Sequence, residues 1–294
     1  EAREDSAKTI KIRKWTDMPT EMPYGTWTSP ITPDSLVQES IGLGDIFISA
    51  ERSYWVEMRP SEDGRYVLVS KTDENDAVDL TPEPYNVRSR VHEYGGGSFT
   101  VSKDSIYFSN FIDQRIYKME MAGENIFPIS PDNDNTRYAD LKIEENLNWL
   151  IAVKESHCGG REPKNSIVAI DLDESNFEKT LISGADFFSA PIISSDGKKL
   201  AWIQWNHPNM PWDGTELWVG KFGPDGSLSN QSKIAGGITE SIFQPQWSPF
   251  GILYFISDRS DWWNLYRLRN DRIEALCPKE ADFGRAQWVF GMST

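Results

Sequence analysis

Hydrophobic positions in this chain come in short bursts of three or four residues bounded by Gly, Pro, Asp and Asn, with no sustained helical period between them. Five bursts share an aliphatic-aromatic core: Tyr66-Val67-Leu68-Val69, Arg115-Ile116-Tyr117-Lys118, Ser166-Ile167-Val168-Ala169, Glu216-Leu217-Trp218-Val219 and Asn264-Leu265-Tyr266-Arg267. Anchored on Val67, Ile116, Ile167, Leu217 and Leu265, they repeat at differences of 49, 51, 50 and 48 residues. A second burst precedes each anchor: Tyr54-Trp55-Val56, Ile106-Tyr107-Phe108, Trp149-Leu150-Ile151, Leu200-Ala201-Trp202 and Leu253-Tyr254-Phe255. Earlier still, four units carry a third, at Ser98–Val101, Ala139–Leu141, Pro191–Ile193 and Pro245–Trp247. A fourth strand is expected to close most units before Thr81, Ser130, Ser183, Ala235 and Cys277.

Four antiparallel strands per unit at a near-constant period describe a propeller blade. The pattern therefore predicts an all-β chain, a β-propeller of four-stranded antiparallel blades. Five blades are nearly whole, and a sixth is expected to open at Gln287-Trp288-Val289-Phe290. A propeller cut in mid-blade leaves an open sheet edge that needs a cover, so the reading expects a C-terminally truncated propeller. Residues 1–22 are read as an N-terminal extension or linker and 23–294 as the propeller.

Antiparallel alternation sorts the loops. With strands lettered A to D from the axis outward, A–B and C–D turns share one face, and B–C and D–A loops share the other. The A–B turns, such as Ser194-Ser195-Asp196-Gly197, are ordinary hairpin signals. The other rim carries segments dense in Trp, His, Asn, Pro and acids: residues 88–97, 135–140, 184–188, 205–215 and 257–264. These look like a docking or binding face. Its candidate substrate- or domain-facing residues are Arg90, His92, Glu93, Tyr94, His207, Trp212, Asp213, Glu240, Arg259, Trp262 and Trp263. Glu93 is expected to pair with Arg88 or Arg90 and lock the rim, and Arg259 to do the same with Asp258 or Asp261. Of Trp262 and Trp263, one ring is expected to pack and the other to offer a contact surface.

Composition narrows the chemistry. A formal charge of −15 argues against a nucleic-acid partner, whose phosphates demand clustered Lys and Arg. Long apolar stretches are absent, so no membrane span is expected. Two cysteines make no disulfide framework, and together with an opening that lacks Met or an apolar leader they favour the cytoplasm or a reducing organelle compartment. No Gly-x-Ser-x-Gly elbow occurs; Ser98, after Gly95-Gly96-Gly97, comes nearest but leads into a strand. The three glycines lack the phosphate-loop pattern and read as a place where inner strands crowd the axis. His157-Cys158 lacks two further zinc ligands, and Asp132–Asn135 lacks the calcium-loop spacing. No catalytic residue, metal or cofactor is assigned to the chain.

At these loops the chain resembles a known family. Tyr24-Gly25-Thr26-Trp27 with Ser29-Pro30-Ile31-Thr32, the segments 88–97 and 205–215, Gly236-Gly237 with Glu240–Pro245, Ser257-Asp258-Arg259 with Trp262–Arg267, and Trp288–Thr294 look like the N-terminal propeller of prolyl oligopeptidase-type serine peptidases. The acylaminoacyl-peptidase or dipeptidyl aminopeptidase branch is the nearest in kind, and the resemblance runs from about Pro23 onward. It implies a propeller that gates and positions short peptides for a C-terminal α/β-hydrolase domain of the same polypeptide carrying a Ser-Asp-His triad. It also implies that this segment alone is inactive. Some relatives hold the peptide's amino group with propeller carboxylates; Glu93, Asp213 and Glu240 are the candidates here. The alternative is a free-standing WD-repeat-like propeller that binds a protein partner through the same rim. Association with a second copy is left open by either reading.

Overall fold

The computed structural model describes residues 21–32, 35, 40–49, 52–121, 125–173 and 177–293. The first twenty residues of the expected extension lie outside them. Residues 1–38 and 39–294 form two compact units, and all the strands belong to the second.

The repeat becomes five four-stranded antiparallel sheets. Blade one holds β1 (Gly42–Ile48), β2 (Arg52–Arg59), β3 (Arg65–Thr72) and β4 (Val78–Asp79), with a one-turn 3-10 helix at Pro60–Glu62. Blade two holds β5 (Phe99–Val101), β6 (Ser105–Ser109), β7 (Ile116–Glu120) and β8 (Ile126–Pro128). Blade three holds β9 (Thr136–Glu144), β10 (Trp149–Ser156), β11 (Lys164–Asp171) and β12 (Glu178–Ser183). Blade four holds β13 (Phe187–Ile193), β14 (Lys199–Trp205), β15 (Glu216–Phe222) and β16 (Leu228–Gly236). Blade five holds β17 (Ile242–Trp247), β18 (Leu253–Ser257), β19 (Asn264–Arg269) and β20 (Arg272–Ala275). All five anchors fall on the third strand of a blade. The inner strand β1, Gly-Leu-Gly-Asp-Ile-Phe-Ile, was not legible as a burst because two glycines and an aspartate interrupt it.

Side chains alternate across a strand, so a blade between two others must be apolar on both faces. Along β14, Leu200 and Trp202 enter the core shared with blade three, while Ala201, Ile203 and Trp205 enter the core shared with blade five. Along β10, Ile151 and Val153 face blade four, and Leu150 and Ala152 face blade two. This is why the middle strands read as unbroken apolar bursts rather than alternating ones. Blade one departs from the rule: Leu43, Ile46 and Ile48 on β1 stand exposed, at 66–76%.

The inner strands share one irregularity. The pairing register breaks in β9, β13 and β17, where Asp140, Ala190 and Gln244 take positive φ of 55°, 49° and 48°. Such bulges bend the strand and re-aim its backbone donors. Asp140 uses the freed geometry twice, donating its N–H to Gly97 O at 2.8 Å and accepting from Ala190 N at 2.7 Å. Asp45 of β1 accepts from Ser98 N at 3.0 Å, and burial pushes its carboxyl above the usual range. Ser98 is buried there, with its hydroxyl against Asp45 and Val87 O.

The expected sixth blade does not open. Residues 287–290 form no strand; Phe290 makes one parallel bridge, to Gly96, and donates its N–H to Gly95 O at 2.8 Å. A strand needs a ladder partner, and no second strand of such a blade lies among the described residues. Phe290 is buried all the same, in the core between blades three and four.

The packing sets a clear expectation. Trp202 is fully buried, stacks on Trp218 and donates Nε1–H to Gln204. Trp202→Ala should cost about 3–5 kcal/mol in denaturant unfolding. Phe250→Ala, on an A–B turn at 91% exposure, should change stability by less than about 0.5 kcal/mol.

Candidate functional site

The connector from blade one to blade two builds the site, because it does not take the short way round. Residues 88–97 reach over the rim face to blades three and four, and Val91 is wholly buried in their shared core. Residues 91–94 form a turn within the expected rim loop, with φ of 53° and 66° at His92 and Glu93. The three glycines then bring the chain down to the axis. A Cβ on Gly95 would lie 2.1 Å from Ser89 O, on Gly96 2.4 Å from Phe290 O, and on Gly97 2.9 Å from Asp140 Cα. Close approach of backbones, not anion binding, accounts for them.

The turn is pinned by a buried carboxylate. Glu155, at the end of β10 and 4% exposed in its side chain, accepts from His92 N at 2.9 Å, from Arg137 at 3.2 Å, and faces His157 Nε2 at 2.7 Å. Arg137 Nη1 also donates to Arg90 O at 2.9 Å and to Glu93 at 2.8 Å. The hydrogen bond from Arg137 holds the Glu93 carboxyl below its ordinary range. Glu93 therefore pairs with Arg137, not with Arg88 or Arg90, whose guanidinium groups lie over the Phe111 ring at 4.9 and 5.1 Å.

Above this turn lies a cavity of about 390 Å³. Phe187 opens β13 and Trp205 ends β14, and the two are cross-strand partners whose rings stack at 5.3 Å. His92 meets them edge-on at 5.1 and 5.6 Å and lies tilted against Phe290 at 4.9 Å. His207 meets Phe187 edge-on at 4.9 Å. Trp212 also lines it, against Trp288 at 4.5 Å, with Tyr94 edge-on to Trp288 at 6.2 Å. Met210 completes it, and Glu93, Glu155 and Glu162 supply the acidic lining.

The loop between β14 and β15 holds its rings by backbone closure. His207 N donates to Asp186 at 2.9 Å, Met210 N to Asp213 at 2.9 Å, Asn209 Nδ2 to Ile238 O at 2.9 Å, and Ser241 Oγ to Pro211 O at 2.9 Å. A Cβ on Gly214 would meet Gly237 O at 2.5 Å, so the loop lies hard against the neighbouring connector.

Of the rim residues singled out from the sequence, His92, Glu93, Tyr94, His207 and Trp212 come together around this cavity. The others have separate places. Arg90 supplies backbone groups to Gln114 and Arg137, and Asp213 caps its own loop. Glu240 accepts from Arg259 at 2.7 and 2.9 Å and from Ser257 Oγ at 2.7 Å. Arg259 thus pairs with Glu240, not with Asp258 or Asp261; Asp258 accepts from Ser241 N instead. Trp263 stacks on Phe243, and Trp262 is 40% exposed. His157 turns to Glu155, and no group of three or more His, Cys, Asp or Glu among the described residues is placed to hold a metal. Trp288, Glu155 and Arg137 were not foreseen as site residues. Arg137 meets Glu155 from 18 positions away and Trp212 meets Trp288 from 76, separations over which local pattern is silent.

His92 is half-buried with its Nε2 atom shut off from solvent, and the neighbouring Asn165 side chain offsets only part of the cost of charging the ring. Burial pushes its pKa down from 6.5 to about 4, so the ring is neutral at physiological pH. The unfolded chain binds a proton below pH 6.5 that the folded chain refuses until about pH 4. Stability should therefore fall across that window, by up to about 3 kcal/mol. His92→Asn, which tolerates positive φ, should flatten this part of the urea-midpoint profile relative to the parent.

No helix among the described residues is long and apolar enough to cross a membrane. No family model matches the chain, and no curated protein sequence does. Solved structures do. A puromycin-hydrolysing peptidase of Mycobacterium tuberculosis is 34% identical over 92% of this chain, with a TM-score of 0.83. A puromycin hydrolase is 30% identical over 92%, with a TM-score of 0.85. This chain spans 44% of the length of each, so it corresponds to less than half of those proteins. A prolyl endopeptidase, 9% identical with a TM-score of 0.59 over 82% of the chain, shares the fold. The chain is thus a β-propeller of the prolyl oligopeptidase family, matching the propeller part of its puromycin-hydrolysing peptidases.

Proposed function

We propose that the rim cavity positions short peptides for hydrolysis by a peptidase domain of the same polypeptide, and that the propeller gates their access. The observation that carries this reading is the cavity itself. Segments far apart in sequence converge on it, on the rim that carries the chain's unusual loops, and the chain matches the propeller part of peptidases. An apolar, aromatic pocket with a few placed polar groups is the ordinary form of a small-ligand site. In the expected parent mechanism a triad serine supplied by the remaining domain attacks the scissile carbonyl. The propeller's share is orientation and exclusion, which changes rates through the geometry of the bound substrate.

Charge at the cavity supports an amine-bearing substrate. Glu93, 72% exposed in its side chain, is held ionised by its partner Arg137, and with Glu155 and the exposed Glu162 it gives the cavity an acidic lining that includes no Lys or Arg. Of the three carboxylates considered for a peptide's amino group, Glu93 alone lines the cavity. Glu240 is committed to Arg259, and Asp213 to its own loop.

Two experiments on the full-length enzyme test this. Deleting residues 206–213 should lower kcat/KM for short peptides at least tenfold; unchanged kinetics would overturn the role. Glu93→Gln should raise KM for peptides with a free amino terminus and leave their N-acetylated counterparts unaffected.

A further inference from the structure

We infer that Arg88 and Arg90, on the connector that leads to the rim cavity, form a subsite for the free carboxylate of a short peptide. This rests on the positioning role proposed above and adds recognition of the peptide's other end.

The local sequence presents the two arginines together. In Val87-Arg88-Ser89-Arg90-Val91 burial alternates: Val87, Ser89 and Val91 are wholly buried, and the arginines between them are half-buried. Alternation in extended backbone puts residues two apart on one side. Both guanidinium groups accordingly lie over the ring of Phe111, Arg88 at 4.9 Å and Arg90 at 5.1 Å. Arg88 also lies over Tyr66 at 5.1 Å. The Phe111 ring stands on a fixed turn. Phe111 N donates to Asn86 O at 2.8 Å, and Gln114 Nε2 donates to Phe111 O at 2.9 Å. Gln114 Oε1 in turn accepts from Arg90 N at 2.8 Å, which ties the turn to the connector.

What the pair lacks is an anion. Arg59, Arg65, Arg115, Arg137 and Arg267, half-buried like them, each meet a carboxylate. Among the described residues neither Arg88 nor Arg90 has an ion pair or a hydrogen bond from its guanidinium, and Arg90 Nε is shut off from solvent without a partner. Asp113, in the same turn as Phe111, is committed to Asn110 Nδ2 at 3.0 Å and to the Tyr117 hydroxyl at 2.6 Å. Packing on the rings accounts for the position of the two side chains. It does not account for two unpaired cations on a chain of formal charge −15. Stacking engages the face of a guanidinium and leaves its edge N–H groups free, and that edge is the one that matches a carboxylate.

The location fits a peptide terminus. The cavity lining is acidic, through Glu93, Glu155 and Glu162, and the arginine pair lies outside that lining on the same connector. Arg137 Nη1 links the two, donating to Arg90 O at 2.9 Å and to Glu93 at 2.8 Å. A short peptide with free termini carries an amine and a carboxylate, and this rim offers each the opposite charge.

The test compares free acids with C-terminal amides of the same di- and tripeptides on the full-length enzyme. The acids should show a kcat/KM higher by about tenfold or more, because the amide loses a charge-assisted contact. Added salt should lower that ratio. Arg88→Gln combined with Arg90→Gln should bring the ratio to within about threefold of one, as expected when both guanidinium groups are gone. Arg88→Lys combined with Arg90→Lys keeps the charge but loses the planar fork, so the ratio should drop part of the way. The lysine variant also serves where the glutamine variant does not fold. A parent ratio near one, or a preference for acids kept in a folded glutamine variant, would overturn the subsite. So would a loss of activity equal for acids and amides, which would assign the pair to a contact within the polypeptide. If the preference disappears with the arginines while deletion of residues 206–213 leaves kinetics unchanged, the carboxylate subsite stands and the cavity's positioning role falls.

Discussion

One buried carboxylate organises the rim. Glu155 sits at the end of β10 with almost no exposure, and three donors converge on it: the His92 N–H, the Arg137 guanidinium and the His157 ring. A carboxylate so placed is tolerable only when paired, and removing a partner from a buried pair costs roughly 3–5 kcal/mol. That requirement ties the connector of blade one to blade three, 63 residues later. Once tied there, Val91 drops into the core between blades three and four, and His92 is set against Phe187 and Trp205. The cavity is what remains above this contact.

The fold makes the contact possible by leaving little freedom elsewhere. Each inner blade is apolar on both faces, so consecutive blades are joined by continuous cores. The inner strands bulge at matching places, and the bulges direct backbone donors toward the neighbouring inner strand, as between Asp140 and Ala190. The glycines at 95–97 let the connector lie within van der Waals contact of that inner ring. Phe290 then packs beneath His92 by one parallel bridge, without a strand of its own. The cavity is thus lined by strand ends at Phe187 and Trp205 together with the turn at 91–94, the segment 287–290 and the loop 206–214. That loop is tied to its neighbours through Asp186, Ile238 and Ser241.

What was legible in the sequence follows from the range of the forces involved. Strand identity depends on neighbours two residues away, so the bursts around Val67, Ile116, Ile167, Leu217 and Leu265 marked the third strand of every blade. Their even spacing, with antiparallel alternation, sorted the loops onto two faces. Turn chemistry at Gly197 and the crowding at Gly95, Gly96 and Gly97 were local as well. β1 was missed because Gly42, Gly44 and Asp45 break its apolar run. Strand formation at 287–290 was wrongly expected, because apolar pattern alone does not supply a ladder partner.

Pairing was decided only in three dimensions. Nothing near Glu93 in the chain names Arg137, and nothing near Arg259 prefers Glu240 over the adjacent Asp258. Electrostatic and aromatic contacts act through space, and the propeller brings together residues separated by tens of positions. The amino-acid sequence by itself determined the repeat, the blades and the sorting of the loops onto two rims. The tertiary structure decided which of the rim residues meet, that burial keeps His92 neutral, and that Glu93 pairs with Arg137.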